Sequence, residues 1–285
     1  MMMVLAQDAA AAHPPLELVF TVDEESGLIG AHDLEAAMIE GRILVNIDSE
    51  DEGVFTIGCA GGEETLMRLP LSCTDLPADA VYARLVVGGL RGGHSGVDIH
   101  KPRANANRLL GRALARLQTQ EGVLLVSLSG GSAHNAIPRD AEALLFVPGD
   151  KTAAATKAVE NLSAQIKSEY AKVDPKLELT LKADESADSS NVMTAQSTRK
   201  MVDFVQTVPH GVTFMSNDIE GLVETSNNLA TLNTEGEKIH VSTSQRSSVM
   251  ERMFWLTERI EGVCRLAGGT FESGSGYPSW QPNMD

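Results

Sequence analysis

The chain has 285 residues, of which 42% are hydrophobic and 22% charged, a balance typical of a folded globular protein rather than a disordered one. Its formal net charge of −16 argues against a nucleic acid or an anionic membrane as partner, since both are bound through basic surfaces. Three widely spaced cysteines without a CxxC pair exclude a disulfide framework and a cysteine-ligated zinc site. Together with the absence of a signal-peptide pattern at the start, they favour a cytoplasmic protein.

The first elements in chain order predict a βαβ unit. Apolar runs at 16–22 and 43–47 are expected to form buried, parallel strands, and residues 30–40 between them have helical composition. A strand, a helix and a second strand close as a right-handed crossover. The fold class predicted here is therefore α/β.

Acidic residues follow both of these predicted strands. Glu24 and Glu25 come directly after the first strand, and Asp48 follows the second. The carboxyl ends of parallel strands meet at one edge of a sheet, where ligand sites lie, so we expect the three carboxylates to converge. The segment 1–64 holds 14 Asp and Glu residues against one Arg, so a solvated acidic turn is the alternative.

The middle of the chain predicts a second fold. Its elements follow the order β-α-β-β-α-β of a ferredoxin-like unit, with strands at 81–87, 123–128, 141–147 and 177–181 and helices beginning near Pro102 and spanning 151–171. Arg108, Arg112 and Arg116 recur every four residues on the first helix and are expected to form a solvated face. The remaining elements are a helix near 194–206, strands near 221–233 and 237–245, and a helix near 247–267.

Six short motifs, in order along nearly the whole chain, resemble the M20 metallopeptidases, and within them the aminoacyl-histidine dipeptidase branch. They are Thr21–Gly27 (TVDEESG) with Val45–Glu50 (VNIDSE), Ile57–Gly62 (IGCAGG), Gly92–Gly96 (GGHSG), Asn135–Arg139 (NAIPR), Val223–Asn228 (VETSNN) and Tyr277–Pro282 (YPSWQP). The resemblance implies hydrolysis of dipeptides, including Xaa-His, at a pair of zinc ions. It also implies a lid domain that forms a homodimer.

The resemblance also assigns metal chemistry to the acidic residues. It implies that Glu24 is the general base that takes a proton from a zinc-bound water, and that Glu25 and Asp48 are zinc ligands. Zinc accepts carboxylate and imidazole ligands, and two zinc ions polarise a carbonyl and lower the pKa of bound water.

Further residues are assigned to the substrate by the same resemblance. His94 is implied to stabilise the oxyanion, and Asn135 and Arg246 to contact the substrate carboxylate. The Arg246 match is looser, since it rests on the residues 245–247 after a strand. The alternatives are a surface histidine in a Gly-rich turn, a turn cap for Asn135 and a surface cation for Arg246.

The chain departs from the family pattern in its histidines. The family has an early His-x-Asp, a further bridging Asp and a late His, and none of the seven histidines here supplies the His-x-Asp or follows the last motif. We therefore expect a fragment: a partial parallel-sheet catalytic segment over 1–62, a lid and dimerisation domain over 63–276, and the start of a return to the catalytic domain over 277–285. Two alternatives to a dipeptidase are a non-catalytic dimerisation module and another M20 hydrolase such as an aminoacylase.

Overall fold

The computed structural model describes residues 2–24, 28–46, 53–76, 80–185, 187, 191–274 and 276–281. The chain divides into two compact units, Met1–Thr56 and Ile57–Asp285. In the described ranges, no helix has the length and apolar character that a membrane span requires. The three-part domain division expected from the sequence remains a prediction.

The N-terminal unit contains only short helical segments in its described part. These are α1 (Met2–Gln7), α2 (Ile29–His32) and a 3₁₀ turn at Ala36–Met38. The predicted strand over 16–22 is wrong, because these residues are irregular. The second predicted strand is also wrong over 43–46, and residue 47 lies outside the described residues. The predicted helix over 30–40 is present only as α2 and the 3₁₀ turn at Ala36–Met38.

These segments form no strand because no neighbouring strand pairs with them among the described residues. Ile43 and Leu44 are 88% and 87% exposed, and Phe20 is 58% exposed. A strand is stable only when neighbouring strands pair with its backbone and a core covers its apolar side chains. Instead, the carboxylate of Glu17 accepts hydrogen bonds from the backbone N–H groups of residues 40 and 41, which lowers the pKa of Glu17.

The second unit is a mixed α/β structure with antiparallel sheets. Its strands are β1 (Gly61–Pro70), β2 (Cys73–Asp75), β3 (Ala80–Gly88), β4 (Gly93–His94), β5 (Leu124–Gly130), β6 (Ala136–Ile137), β7 (Ala141–Pro148), β8 (Glu178–Ala183), β9 (Asn191–Met193), β10 (Gly211–Met215), β11 (Val223–Glu235), β12 (Lys238–Ser247) and β13 (Thr270–Ser273). Its helices are α3 (Ala106–Glu121), α4 (Thr152–Tyr170), α5 (Ala195–Thr207) and α6 (Met250–Leu266), with a 3₁₀ turn at Gly149–Lys151.

The predicted β-α-β-β-α-β unit is confirmed. It runs β3-α3-β5-β7-α4-β8, and its strands lie in the order β5-β7-β3-β8 with antiparallel pairing throughout. The helix expected to begin near Pro102 begins at Ala106 instead, because the side chain of Asn105 caps it by accepting from the Arg108 N–H.

The sheet continues beyond this unit through β11. The full order is β13-β1-β12-β11-β5-β7-β3-β8, and β10 pairs with the other part of β11. β11 and β12 confirm the two strands expected late in the chain, whereas β1 and β13 were not predicted. β1 pairs with β12 over its whole length, from Gly61 opposite Ser247 to Pro70 opposite Lys238.

The arginine row on α3 is not a solvated face, so that expectation is wrong. Arg108 is part-buried and donates to three carbonyls at the end of α5, those of Val205, Gln206 and Val208. Arg112 forms a two-pronged ion pair with Glu169 on α4. Arg116 alone is exposed. The row therefore ties α3 to its neighbouring helices.

Candidate functional site

His94 lies on a short strand that follows a turn dependent on glycine. Strand β4 pairs with β6, which places His94 opposite Ala136. Gly92 and Gly93 have φ of 63° and 146°, which favour glycine, and a Cβ on Gly93 would collide with Asp98. The Asp98 carboxylate accepts from the His94 backbone N–H at 3.1 Å. The backbone of His94 is thus fixed from both sides of the turn.

The imidazole of His94 is held as a neutral donor. Its Nδ1 accepts from the backbone N–H groups of Gly96 and Val97 at 3.2 and 3.3 Å, which assigns the proton to Nε2. Partial burial and the nearby charge of Arg246 lower the pKa of His94, and the opposing effect of Asp98 is smaller. A neutral ring with a free Nε2–H can donate to a developing negative charge.

Arg246 lies beside this imidazole at the end of β12. Its Nη1 donates to the Tyr277 hydroxyl at 2.7 Å, whereas its Nε is buried without a partner among the described residues. Arg246 Nε and His94 Cε1 lie 3.3 and 3.2 Å from the position that a Cβ on Gly96 would occupy. The guanidinium and the imidazole therefore approach each other across a residue that has no side chain.

Arg246 also has no carboxylate neighbour in ion-pair range within the described part of the chain. Buried or half-buried arginines usually pair with an acidic group. Its positive charge therefore remains available to an anionic ligand.

Asn135 belongs to the same neighbourhood. Its backbone carbonyl accepts from the Ser95 N–H at 2.8 Å, and its side chain is exposed. The carbonyls on either side of it, those of His134 and Ala136, accept from Asn228 Nδ2 at 3.3 and 2.7 Å. Asn228 on β11 thus fixes the turn that carries Asn135.

Besides Arg246 Nε, two buried polar atoms near β4 and β6 have no partner among the described residues. They are Asn228 Oδ1 and Ser95 Oγ, on residues that are 1% and 2% exposed. An unpaired buried acceptor or hydroxyl costs free energy, and such atoms often bind an ordered water or a ligand. They add hydrogen-bonding capacity to the same region as His94 and Arg246.

Beside the β4–β6 pair lies a cavity of about 490 Å³ whose lining includes Gly93 and Ala136. Arg139, Asp140 and Glu142 provide its charged lining. Its volume is in the range of small-molecule sites. The cavity therefore opens beside the β4–β6 pair and has charged residues in its lining.

The residues predicted as the metal centre are not all described. Glu24 is exposed in the N-terminal unit, and its carbonyl accepts from the Leu28 N–H at 3.0 Å. Glu25 and Asp48 lie outside the described residues. Where side chains are described, no three His, Cys, Asp or Glu are grouped as metal ligands. The convergence of the three carboxylates remains a prediction.

Sequence reasoning missed two residues of the site. Asn228 and Tyr277 stand inside quoted motifs, but neither was given a role. For Asn228 the signal was a run of polar residues within a strand that is buried on both faces. For Tyr277 no local pattern indicates that its hydroxyl meets a residue 31 positions earlier in the chain.

Similarity to known proteins indicates the class of protein to which this chain is related. Residues 87–174 match the peptidase dimerisation domain of the M20 family. The cytosol non-specific dipeptidase of Escherichia coli (strain K12) is 34% identical over 278 residues, which are 98% of this chain and 57% of that protein. The structure of aminoacylhistidine dipeptidase from Vibrio alginolyticus matches with a TM-score of 0.84 at 35% identity, covering 93% of this chain and 54% of that one.

These matches confirm the resemblance to the M20 metallopeptidases that the motifs indicated. Within the family, both named relatives are dipeptidases, one of them an aminoacylhistidine dipeptidase. The chain spans little more than half the length of each.

Proposed function

We propose that this chain forms part of a dipeptidase that hydrolyses short peptides, including Xaa-His. In this proposal Arg246 and Asn135 bind the carboxylate of the substrate, and His94 donates from Nε2 to the oxygen of the scissile carbonyl. The observation that carries it is the Arg246 guanidinium, which stands beside a neutral imidazole with no carboxylate partner in the described residues.

The chemistry of this arrangement suits acyl transfer from nitrogen to water. Negative charge develops on the carbonyl oxygen in the transition state, and a fixed N–H donor stabilises it by roughly 3–4 kcal/mol. A neutral imidazole with its proton on Nε2 is such a donor, and the neighbouring cation strengthens the effect.

Zinc is the metal that we propose for the complete site, with Glu25 and Asp48 as ligands and Glu24 as the general base. A pair of zinc ions would polarise the carbonyl and lower the pKa of a bound water. The described residues do not by themselves provide a zinc donor set. Two carboxylates without imidazole bind zinc weakly, so we propose that this chain holds only part of the metal site.

We also propose that the protein acts in the cytoplasm as a homodimer, assembled through the domain that contains residues 87–174. The support is the dimerisation domain matched there and the cytosolic relative. Neither a nucleic acid nor a membrane is proposed as partner, given the net charge of −16.

The second candidate function is a non-catalytic dimerisation module. It is favoured by the N-terminal unit, in which the apolar segments 16–22 and 43–46 form no strand. An M20 hydrolase of another specificity, such as an aminoacylase, is the third.

Zinc content and Xaa-His hydrolysis, measured on one purified sample, separate these functions. We expect the chain alone to bind less than two zinc ions and to turn over poorly. A chimera completed with the remaining sequence of the E. coli relative should bind two zinc ions and hydrolyse Xaa-His. A zinc-loaded chimera that cleaves acylamino acids but not dipeptides would favour the aminoacylase, and one without hydrolysis would favour the module.

Two substitutions in that chimera test the proposed roles. Glu24→Gln should abolish turnover while zinc remains bound, whereas Glu35→Gln, at another exposed carboxylate of the same unit, should retain activity. His94→Ala should lower kcat by about 10²–10³-fold with zinc content unchanged. His100→Ala, an exposed histidine of the same loop, is its control. Full activity of Glu24→Gln, or zinc loss in His94→Ala, would contradict the respective role.

A further inference from the structure

Tyr277 lies on the segment that returns to the sheet after β13. Its backbone pairs with Gly62 at the start of β1, through N···O distances of 2.9 and 3.1 Å. A Cβ on Gly62 would stand 2.6 Å from both Cζ and Oη of the tyrosine. The ring therefore occupies the space that any larger residue at position 62 would fill.

Gly62 is also the β1 partner of Arg246. In the β1–β12 register these two residues stand opposite each other. The ring that covers Gly62 therefore places its hydroxyl next to the Arg246 guanidinium, where it accepts from Nη1 at 2.7 Å. Three separate segments, β1, β12 and the returning segment, meet at this one hydrogen bond.

This contact affects how Arg246 can bind an anion. An arginine side chain has several rotatable bonds, and fixing them on binding costs affinity. A hydrogen bond that already fixes one Nη removes part of that cost in the free protein. A hydroxyl group orients the guanidinium without neutralising its charge, whereas a carboxylate would neutralise it.

We propose that Tyr277 is a positioning residue that orients Arg246 for the carboxylate of the substrate. This inference rests on the proposed function, which assigns that carboxylate to Arg246. Tyr277 acts through Arg246 and does not itself touch the substrate. The alternative is that Tyr277 serves only to anchor the returning segment through its ring and backbone.

The test compares Tyr277→Phe with Tyr170→Phe in the full chain. Tyr277→Phe removes only the hydroxyl and keeps the ring over Gly62, and Tyr170→Phe is the same change on α4, outside the site. Two probes are titrated by calorimetry: glycyl-histidine and its C-terminal amide, which lacks the carboxylate. We expect Tyr277→Phe to weaken binding of glycyl-histidine about tenfold, to leave the amide unchanged, and Tyr170→Phe to change neither.

A double-mutant cycle shows whether the effect passes through Arg246. In an Arg246→Lys background, Tyr277→Phe should have no further effect on glycyl-histidine binding, because the guanidinium that it orients is gone. Equal losses in both backgrounds, or equal losses for the dipeptide and its amide, would overturn the inference.

Rotation of the Arg246 guanidinium, measured by ¹⁵N NMR of the side chain, gives a readout that needs no ligand. We expect restricted rotation in the wild type and faster rotation in Tyr277→Phe. If the wild-type chain binds neither probe, the proposed function fails for this chain, and the rotation decides the inference alone. Equal rotation in the two proteins would overturn it.

Discussion

Two apolar runs predict a strand equally well from the sequence: 16–22 in the N-terminal unit and 141–147 in the second unit. Only the second run forms one. Residues 141–147 lie in β7, which is paired on both sides, with β3 and β5. Residues 16–22 are irregular, and Phe20 and Val22 are 58% and 67% exposed. An apolar run therefore indicates that burial of the segment is favourable. Whether the segment forms a strand depends on neighbouring strands that pair with its backbone.

The largest expected effect tests this comparison directly, with one substitution in each unit. Leu85→Ala on β3 removes a side chain that is 0% exposed and should lower the free energy of unfolding by roughly 2–5 kcal/mol. Leu44→Ala, at a leucine that is 87% exposed, should change it by less than about 0.5 kcal/mol. Urea denaturation followed by circular dichroism measures both, and similar losses would show that residues 43–46 are buried in solution.

The second prediction uses the pH dependence of stability, which should arise in part from an enclosed histidine of the second unit. Burial, together with the charge of Arg108, lowers the pKa of His210 from its ordinary 6.5 to about 4. His210 Nδ1 accepts from the Leu229 N–H at 3.2 Å, which fixes the neutral ring. Between these two pKa values the unfolded chain binds a proton that the folded chain does not.

Above pH 6.5, His210 is neutral in both states and should not lower the free energy of unfolding. This free energy should fall as the pH drops from 6.5 to 4. The loss from this one residue is roughly 3 kcal/mol. His210→Asn keeps an acceptor near Nδ1 and removes the titration, so its unfolding free energy should depend less on pH between 4 and 6.5. Parallel pH profiles for the wild type and the variant would contradict the assignment.

The smallest expected effect distinguishes two arginines of one helix that the sequence makes equivalent. Arg108→Met leaves three carbonyls at the end of α5 without their donor and should cost about 1–3 kcal/mol. Arg116→Met, the same change at an exposed position on α3, should cost less than about 0.5 kcal/mol. Thermal unfolding monitored by circular dichroism at 222 nm compares the two variants. Equal effects would support the solvated arginine face that the spacing predicts.

Local patterns were sufficient for the ferredoxin-like unit because each of its elements carries its own signal. The apolar stripe of α3, with Leu110, Ala113 and Leu117 buried, has the helical period, and β7 follows β5 closely enough to pair with it. The edge strand β13 has no such signal. Three of its four residues are polar or charged, and it forms because β1 offers a free edge.

In the candidate site, too, some features were predictable from local patterns and others were not. The motifs predicted roles for His94, Asn135 and Arg246, and the glycines near His94 indicated a turn. Their proximity could not be predicted from the sequence, since Arg246 and His94 approach each other across Gly96 only in the folded chain. Burial and the charge of Arg246 both lower the pKa of His94, and the contribution of Arg246 requires that proximity.

The sequence by itself determined the family resemblance and the order of elements in the ferredoxin-like unit, and it predicted which residues would bind a peptide. These depend on residue type and spacing, which are local properties. Only the tertiary structure decided that 16–22 and 43–46 are exposed, that Arg108 caps α5 and that Tyr277 meets Arg246. Each of these depends on which distant segments supply a partner, and hydrogen bonding and burial are settled by such partners rather than by neighbours in the chain.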